Sequence, residues 1–312
     1  MVVLAAGVAA APASTATAPA TAPRLGTPTS WGYQLQGIRG APLDLRGLAR
    51  SPHDLLVIDA SDGDAPFTAA QIEPLKTRPD GRRRRVIAYL SIGEAESYRP
   101  YFQAAWATKP PPFLAAGNKE WHGNFKVRYW QAAWKAIVLA SVDELIAAGF
   151  DGAYLDVIDA FEYFGPGGEA PERPSAATDM AELVIAIAQH ARTTRARPGF
   201  AIVPQNGATL IDAVPAELAR RYLDAIDGIG AEDTFYFGAR PENNPLAIQR
   251  ETVAALRRFV AAGKIVLAVD YVTSPARAKN FVKLARKEGF VPYVGRRALD
   301  RLVKQPRQEP PR

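Results

Sequence analysis

Carboxylates and carboxamides recur at one kind of place in this chain, directly after a short run of Val, Ile, Leu, Ala and Tyr. Asp59 ends LLVID, and Glu94 and Glu96 follow VIAYLSIG. Asp156 ends GAYLD with Asp159 just beyond, and Gln205 and Asn206 follow AIVP. Glu232 and Asp233 end GIGAED, and Asp270 ends IVLAVD. An acid in such a position often only caps the next helix, and Asp62 and Asp64 read that way. Acids or amides at six separate run ends are harder to explain by capping. The reaction class follows from what is missing. The chain has 3 histidines, His53, His122 and His190, and no cysteine. That speaks against a histidine-rich or thiolate metal centre. No Gly-x-Ser-x-Gly elbow is present, and no basic cluster marks a phosphate site at the last two runs. Carboxylate chemistry remains. Its commonest form is glycoside hydrolysis, in which one carboxyl protonates the leaving oxygen and a second attacks or activates water.

The elements that would position these groups are short and evenly spread. Candidate strands cover Trp31–Gln36, Leu55–Ala60, Val86–Ser91, Ala153–Val157, Phe200–Pro204, Ala225–Gly230, Ile265–Val269 and Val291–Val294. Amphipathic stretches separate most of them, the clearest over Val127–Ala148. Gly149, Gly263 and Gly289 each stand between a helical run and a strand, where glycine supplies a left-handed cap. Eight strands alternating with helices predict an α/β fold, a (β/α)8 TIM barrel in one domain. A doubly wound sheet would show a glycine-rich phosphate loop after an early strand, and none is present. In a barrel all strand ends meet at one mouth. The connection after the third strand, Glu94 to Phe125, is long and aromatic, with Tyr98, Tyr101, Phe102, Trp106, Phe113 and Trp121. It predicts either a sugar-stacking rim or a lid with its own small core. Of the histidines, only His122 could reach the mouth from it.

The 312 residues carry a formal charge of +6. The excess lies in Arg82 to Arg85 and in Arg296, Arg297, Arg301, Lys304, Arg307 and Arg312, which read as solvated faces rather than a nucleic-acid patch. No apolar run is long enough to span a membrane. Residues 1–29 read as a signal-like, low-complexity tether without the usual basic start, which predicts a secreted or cell-envelope (periplasmic) protein. Residues 30–300 form the barrel, and 301–312 a basic C-terminal tail.

The stretches WGYQLQG, LLVIDAS, VIAYLSIGEAESYRPYF, WHGNFKVRYWQAAW, GFDGAYLDVIDAF, PQNG and GIGAEDTFY resemble the endo-α-1,4-polygalactosaminidase family, glycoside hydrolase family 114. The resemblance spans roughly residues 31 to 295. It implies a TIM barrel that cleaves α-1,4-linked galactosamine and N-acetylgalactosamine polymers with retention, needing no cofactor and no metal. By motif, Asp156 matches the nucleophile and Glu232 the acid/base, with Asp233 or Glu94 as other candidates for the acid. Asp59, Glu94, Tyr89, Asn206, Asp270 and Tyr271 are expected to bind substrate. These roles imply that Asp156 stays ionised near neutral pH while Glu232 holds its proton longer. An acidic mouth would draw in a cationic aminosugar polymer. The partner expected is thus a polysaccharide, with no nucleic acid, and the protein is expected to be a monomer. The rival readings are a non-catalytic carbohydrate-binding barrel and a glycosidase of different sugar specificity.

Overall fold

A computed structural model describes residues 23–63 and 65–306. Every candidate strand forms, the sixth three residues later than expected because Ala225 still closes a helix. The barrel strands are β1 (Trp31–Gln34), β2 (Leu55–Ile58), β3 (Arg85–Ser91), β4 (Gly152–Asp156), β5 (Ala201–Pro204), β6 (Gly228–Glu232), β7 (Ile265–Asp270) and β8 (Val291–Val294). All their ladders are parallel: β1 to β5 pair in chain order, and so do β6 to β8. A bridge between Gln205 and Gly230 joins the two groups, with Asn206 N donating to Gly230 O at 2.9 Å.

Side-chain alternation along each strand builds two cores. Trp31, Tyr33, Leu55, Val57, Ile87, Tyr154, Val203, Leu267, Val269 and Tyr293 fill the barrel interior. Leu56, Ile58, Val86, Leu155, Ile202, Ile229 and Val266 face the surrounding helices. The helix Ala132–Ala147 shows why those helices form where they do. Trp134, Val138, Val142 and Leu145 fall on one buried face, and Gly149 at φ 81° ends the run. Inside the barrel the four rings of Trp31, Tyr33, Tyr154 and Tyr293 pack at centroid distances of 5.3–6.3 Å. Gly230 makes room for them: a Cβ there would lie 1.8 Å from Tyr154 Oη.

The long connection after β3 folds on itself. Glu94–Glu96, Asn124–Val127 and Leu114–Gly117 make a three-stranded antiparallel sheet. Phe102, Trp106, Phe113, Phe125 and Trp134 form an aromatic cluster against it.

Among the described residues no helix follows β8. The segment from Arg296 to Pro306 takes that place and covers the gap between β8 and β1, which share no ladder. Leu35 N donates to Leu299 O at 2.9 Å, and Gln36 Nε2 to Ala298 O at 2.8 Å. The Gln305 carboxamide accepts from Val294 N at 2.8 Å and donates to Val294 O at 3.0 Å, as a neighbouring strand's peptide would. Tyr293 Oη reaches Tyr33 O at 3.4 Å, and Trp31 Nε1 donates to Val291 O at 2.9 Å across the same seam. The start of the expected tail, residues 301–306, therefore belongs to the barrel wall. The expected N-terminal tether is likewise held from residue 23 onward. Leu25 is buried in the barrel core, and Arg24 pairs with Asp227 at 3.0 Å. Residues 1–22, and with them the signal-like run, lie outside the described residues.

Two charge and cap readings change. Arg84, placed in a solvated run, is buried and donates to Ser51 O at 3.0 Å and Ala49 O at 2.6 Å. Asp62 lies in a two-residue strand, and Thr68 opens the next helix instead, its amide and hydroxyl both donating to Gln71 Oε1 at 2.9 and 2.8 Å. Asp64 is outside the described residues.

Candidate active site

The C-terminal ends of the strands open on a cleft of 860 Å³. Asp59, Tyr89, Glu94, Asp156, Asn206, Glu232 and Tyr271, all expected site residues, line it, as do Glu96, Asp159 and His122. Tyr98 and Trp121 from the insertion line it too and are exposed, whereas Trp106 and Phe113 are buried in the insertion's own core. The insertion thus packs a small core of its own and also sends two aromatics to the cleft.

Asp156 ends β4 on the inward side, two residues after Tyr154. Its Oδ2 accepts from Tyr89 Oη at 2.8 Å, and its Oδ1 from Val157 N at 2.7 Å. Val157 adopts φ 62°, a left-handed turn that bends the chain away just past the carboxylate. Burial, and after it the Glu232 carboxylate, push the Asp156 carboxyl well above the ordinary range, against the Tyr89 hydroxyl. That direction is opposite to the expected one. Two carboxyls facing each other in a place poor in water do not readily both ionise.

Glu232 ends β6 in the same way, two residues past Gly230. Tyr271 Oη donates to Oε1, and Asn206 Nδ2 to Oε2 at 3.2 Å. Asn206 Oδ1 also accepts from Glu232 N at 3.1 Å. Asn206, at φ 62°, therefore holds both the backbone and the side chain of Glu232.

The other candidate acids are held by partners. Asp59 accepts from Arg99 at 2.6 and 2.9 Å and from Ser61 N at 2.9 Å. The same arginine pairs with Glu96 at 2.7 Å. Glu94 takes Lys126 at 2.7 Å, Asn118 at 2.9 Å and Asn124 at 3.2 Å. Asp233 pairs with Arg297 at 2.7 Å and is not part of the cleft wall. Burial first, then Glu232, raise the Asp233 carboxyl to about 6 in spite of that arginine.

Asp270 does not reach the cleft. It is fully buried on the outward side of β7 and accepts from Thr234 N, Phe235 N and Tyr236 N at 2.9, 3.0 and 2.7 Å. Burial lifts its carboxyl to about 8, opposed by those three amides. It shapes the turn after Glu232. Arg99, Lys126, Asn118, Asn124 and Arg297 were not read from the sequence as site residues. The first four lie in or near the aromatic insertion, two of them inside GNFKV. Arg297 was taken for a solvated tail charge and shows that a base does follow β8.

The wall carries eight carboxylates against three cations, each of which is paired with an acid. Such a surface concentrates positive ligands. Among the described residues no cluster of side chains suits a metal ion, and no helix is long and apolar enough to cross a membrane.

A family model for glycoside-hydrolase family GH114 matches residues 9–310. A protein of Deinococcus radiodurans, named as uncharacterised, is 40% identical over 290 residues, covering 92% of this chain and 86% of that one. A second, MJ1477 of Methanocaldococcus jannaschii, is 34% identical over 284 residues, covering 87% and 77%. The fold resembles the glycoside hydrolase domain of PelA from Pseudomonas aeruginosa, with a TM-score of 0.63, 22% identity and 88% and 98% coverage. It also resembles Aspergillus fumigatus Ega3 in complex with galactosamine, with a TM-score of 0.62, 18% identity and 94% and 100% coverage.

Proposed function

The chain belongs to glycoside-hydrolase family GH114, and from that premise we propose that it cuts α-1,4-linked galactosamine and N-acetylgalactosamine polymers internally, with retention at the anomeric carbon. The observation that carries the reading is the pair Asp156 and Glu232 on one cleft, each aimed by its own tyrosine. In the first step an Asp156 oxygen bonds to the anomeric carbon while the glycosidic bond breaks. Glu232 passes its proton to the leaving oxygen. In the second step Glu232 takes a proton from water, the water oxygen bonds to the anomeric carbon, and Asp156 leaves. Tyr89 donates to Asp156 and favours its ionised form.

The substrate class is supported by charge and by shape. Asp62, Glu120 and Asp159 line the cleft with no ion pair among the described residues, so an ammonium-bearing sugar can settle beside them. Such a cation also favours the ionised Asp156. Exposed Tyr98 and Trp121 offer flat faces to further sugar rings, which suits a chain bound along its length. The galactosamine held by the Aspergillus fumigatus protein points to the same sugar. The reading includes export, on the strength of the signal-like run in residues 1–29.

The test is incubation with partially deacetylated polygalactosamine, followed by mass spectrometry of the products and NMR of the first ones formed. Internal cuts with retained configuration are expected. Inverted products, or release of single sugars only, would remove the mechanism or the internal cutting.

A further inference from the structure

Arg297 comes from the segment that stands where an eighth helix would be, and it reaches into the cleft. Its guanidinium lies 4.9 Å from the Tyr271 ring centre, and its Nη1 is 2.7 Å from Asp233 Oδ2. Tyr271 in turn donates to Glu232. Asp233 stands next to Glu232 in sequence, in a left-handed turn at φ 49°, with its amide on Val269 O at 3.0 Å. Two adjacent acids could each serve at this strand end, and one cation touches the surroundings of both.

We propose that Arg297 is a positioning residue of the active site, which pairs Asp233 away from the cleft and holds Tyr271 against Glu232, so that Glu232 alone presents its carboxyl to the glycosidic bond. The argument is geometric. A guanidinium that donates to a carboxylate, here through Nη1 to Oδ2, holds it by charge and by one directed bond. Its face on the Tyr271 ring limits how far that ring can swing, and so fixes the hydroxyl that Glu232 accepts from. The segment that carries it is itself anchored through Leu299 O and Ala298 O to the end of β1. Arg296, next to it, pairs instead with Glu242 at 3.2 Å and does not line the cleft.

The charge of Arg297 also enters the titration of the carboxyl group cluster. The groups that face Glu232 are Asn206 from β5, Tyr33 from β1, Tyr154, Asp156 and Asp159 from β4 and its turn, Asp233, Tyr271 from the end of β7, and Arg297. Arg297 is the cation that acts on Glu232 and Asp233, while Lys126 acts on Asp159. Removal of Arg297 makes ionisation of the cluster harder, so the pH–rate profile moves up as a whole.

The proposal rests on the glycosidase reading only for its kinetic arm. Arg297→Gln keeps a donor for Asp233 but no charge. On polymer, its kcat should fall about tenfold or more with KM changed less than about threefold, and the profile should move up by roughly half a pH unit or more. By 13C NMR the Asp233 carboxyl should titrate above its value of about 6. Arg297→Lys should restore the pH profile and much of kcat, and Arg296→Gln should leave every readout at wild type. Wild-type pH behaviour in Arg297→Gln, or equal losses in Arg296→Gln, would overturn the proposal. If the wild-type protein fails to cut the polymer, the substrate reading falls and the Asp233 titration decides the inference by itself. Should Arg297→Gln not fold, Asp233→Asn breaks the same pair from the other side and releases Arg297 from its place over the Tyr271 ring, which loosens the hydroxyl that Glu232 accepts from. It must then lower kcat on polymer, and an unchanged kcat would count against the proposal.

Discussion

Replacing Gly230 by alanine tests the packing inside the barrel and the placement of Glu232 together. The new Cβ would stand 1.8 Å from Tyr154 Oη, 2.5 Å from its Cζ and 2.8 Å from its Cε2. Carbon atoms at rest sit about 3.5–4 Å from their neighbours. Either the Tyr154 ring or the β6 backbone must therefore move by more than about 1 Å. The ring has little freedom, because Trp31 and Tyr33 lie 6.3 and 5.3 Å away, centre to centre. Overpacking of this kind costs roughly 3 kcal/mol. Urea unfolding should show it as a lower midpoint at an unchanged slope. Because Glu232 is two residues along the same strand, a shift of about 1 Å should also lower kcat by about 100-fold. Pairing the change with Tyr154→Ala supplies the control. With the ring gone, the added methyl should cost under about 1 kcal/mol, and the cycle should show strong coupling. A loss below about 0.5 kcal/mol in the single variant, or simple additivity in the pair, would refute the account of β6.

Further outcomes follow from the site and from the ends of the chain. Asp156→Asn should abolish turnover while ligand binding persists, and Glu232→Gln should slow polymer far more than a substrate with an activated leaving group, as parallel kinetics would show. Leu25→Ala should cost about 2–3 kcal/mol, whereas deleting residues 1–22 should leave the melting temperature nearly unchanged. Burial, and then Arg84, hold the buried His53 ring down at about 4, so the folded protein resists a proton that the unfolded chain takes up below about 6.5. Its stability contribution is full above that pH and shrinks by up to about 3 kcal/mol as pH falls toward 4. His53→Gln should flatten that part of the Tm–pH curve, and an unchanged slope would show that the histidine is not responsible.

The barrel was legible because its strands are short, β-rich and closed by glycine caps, and because each signal is local. The site was legible to the extent that strand ends were. Parity within each strand carries further information. Tyr154 and Gly230 face inward, so Asp156 and Glu232 do as well; Leu267 and Val269 face inward, so Asp270 cannot and Tyr271 can. Once one inward residue of each strand is known, counting in twos separates the two cleft carboxyls, Asp156 and Glu232, from the buried Asp270. Arg99, Lys126 and Arg297 were hidden for another reason. Their roles depend on which insertion or terminal segment folds over the mouth, and no spacing within the chain encodes that contact. Arg84 was hidden because a buried arginine among exposed ones leaves no compositional mark.

The junction of β8 with β1 has consequences for motion. Every other neighbouring pair is tied by backbone bonds, most of them in full ladders, whereas here a glutamine side chain, two aromatic rings and a strap of coil do the tying. Amide hydrogens of Leu35, Gln36 and Val294 should therefore exchange with solvent sooner than those in β4 or β7. Faster exchange at that seam would mean that the strap carrying Arg297 is held less firmly than the strand ends that carry Asp156 and Glu232.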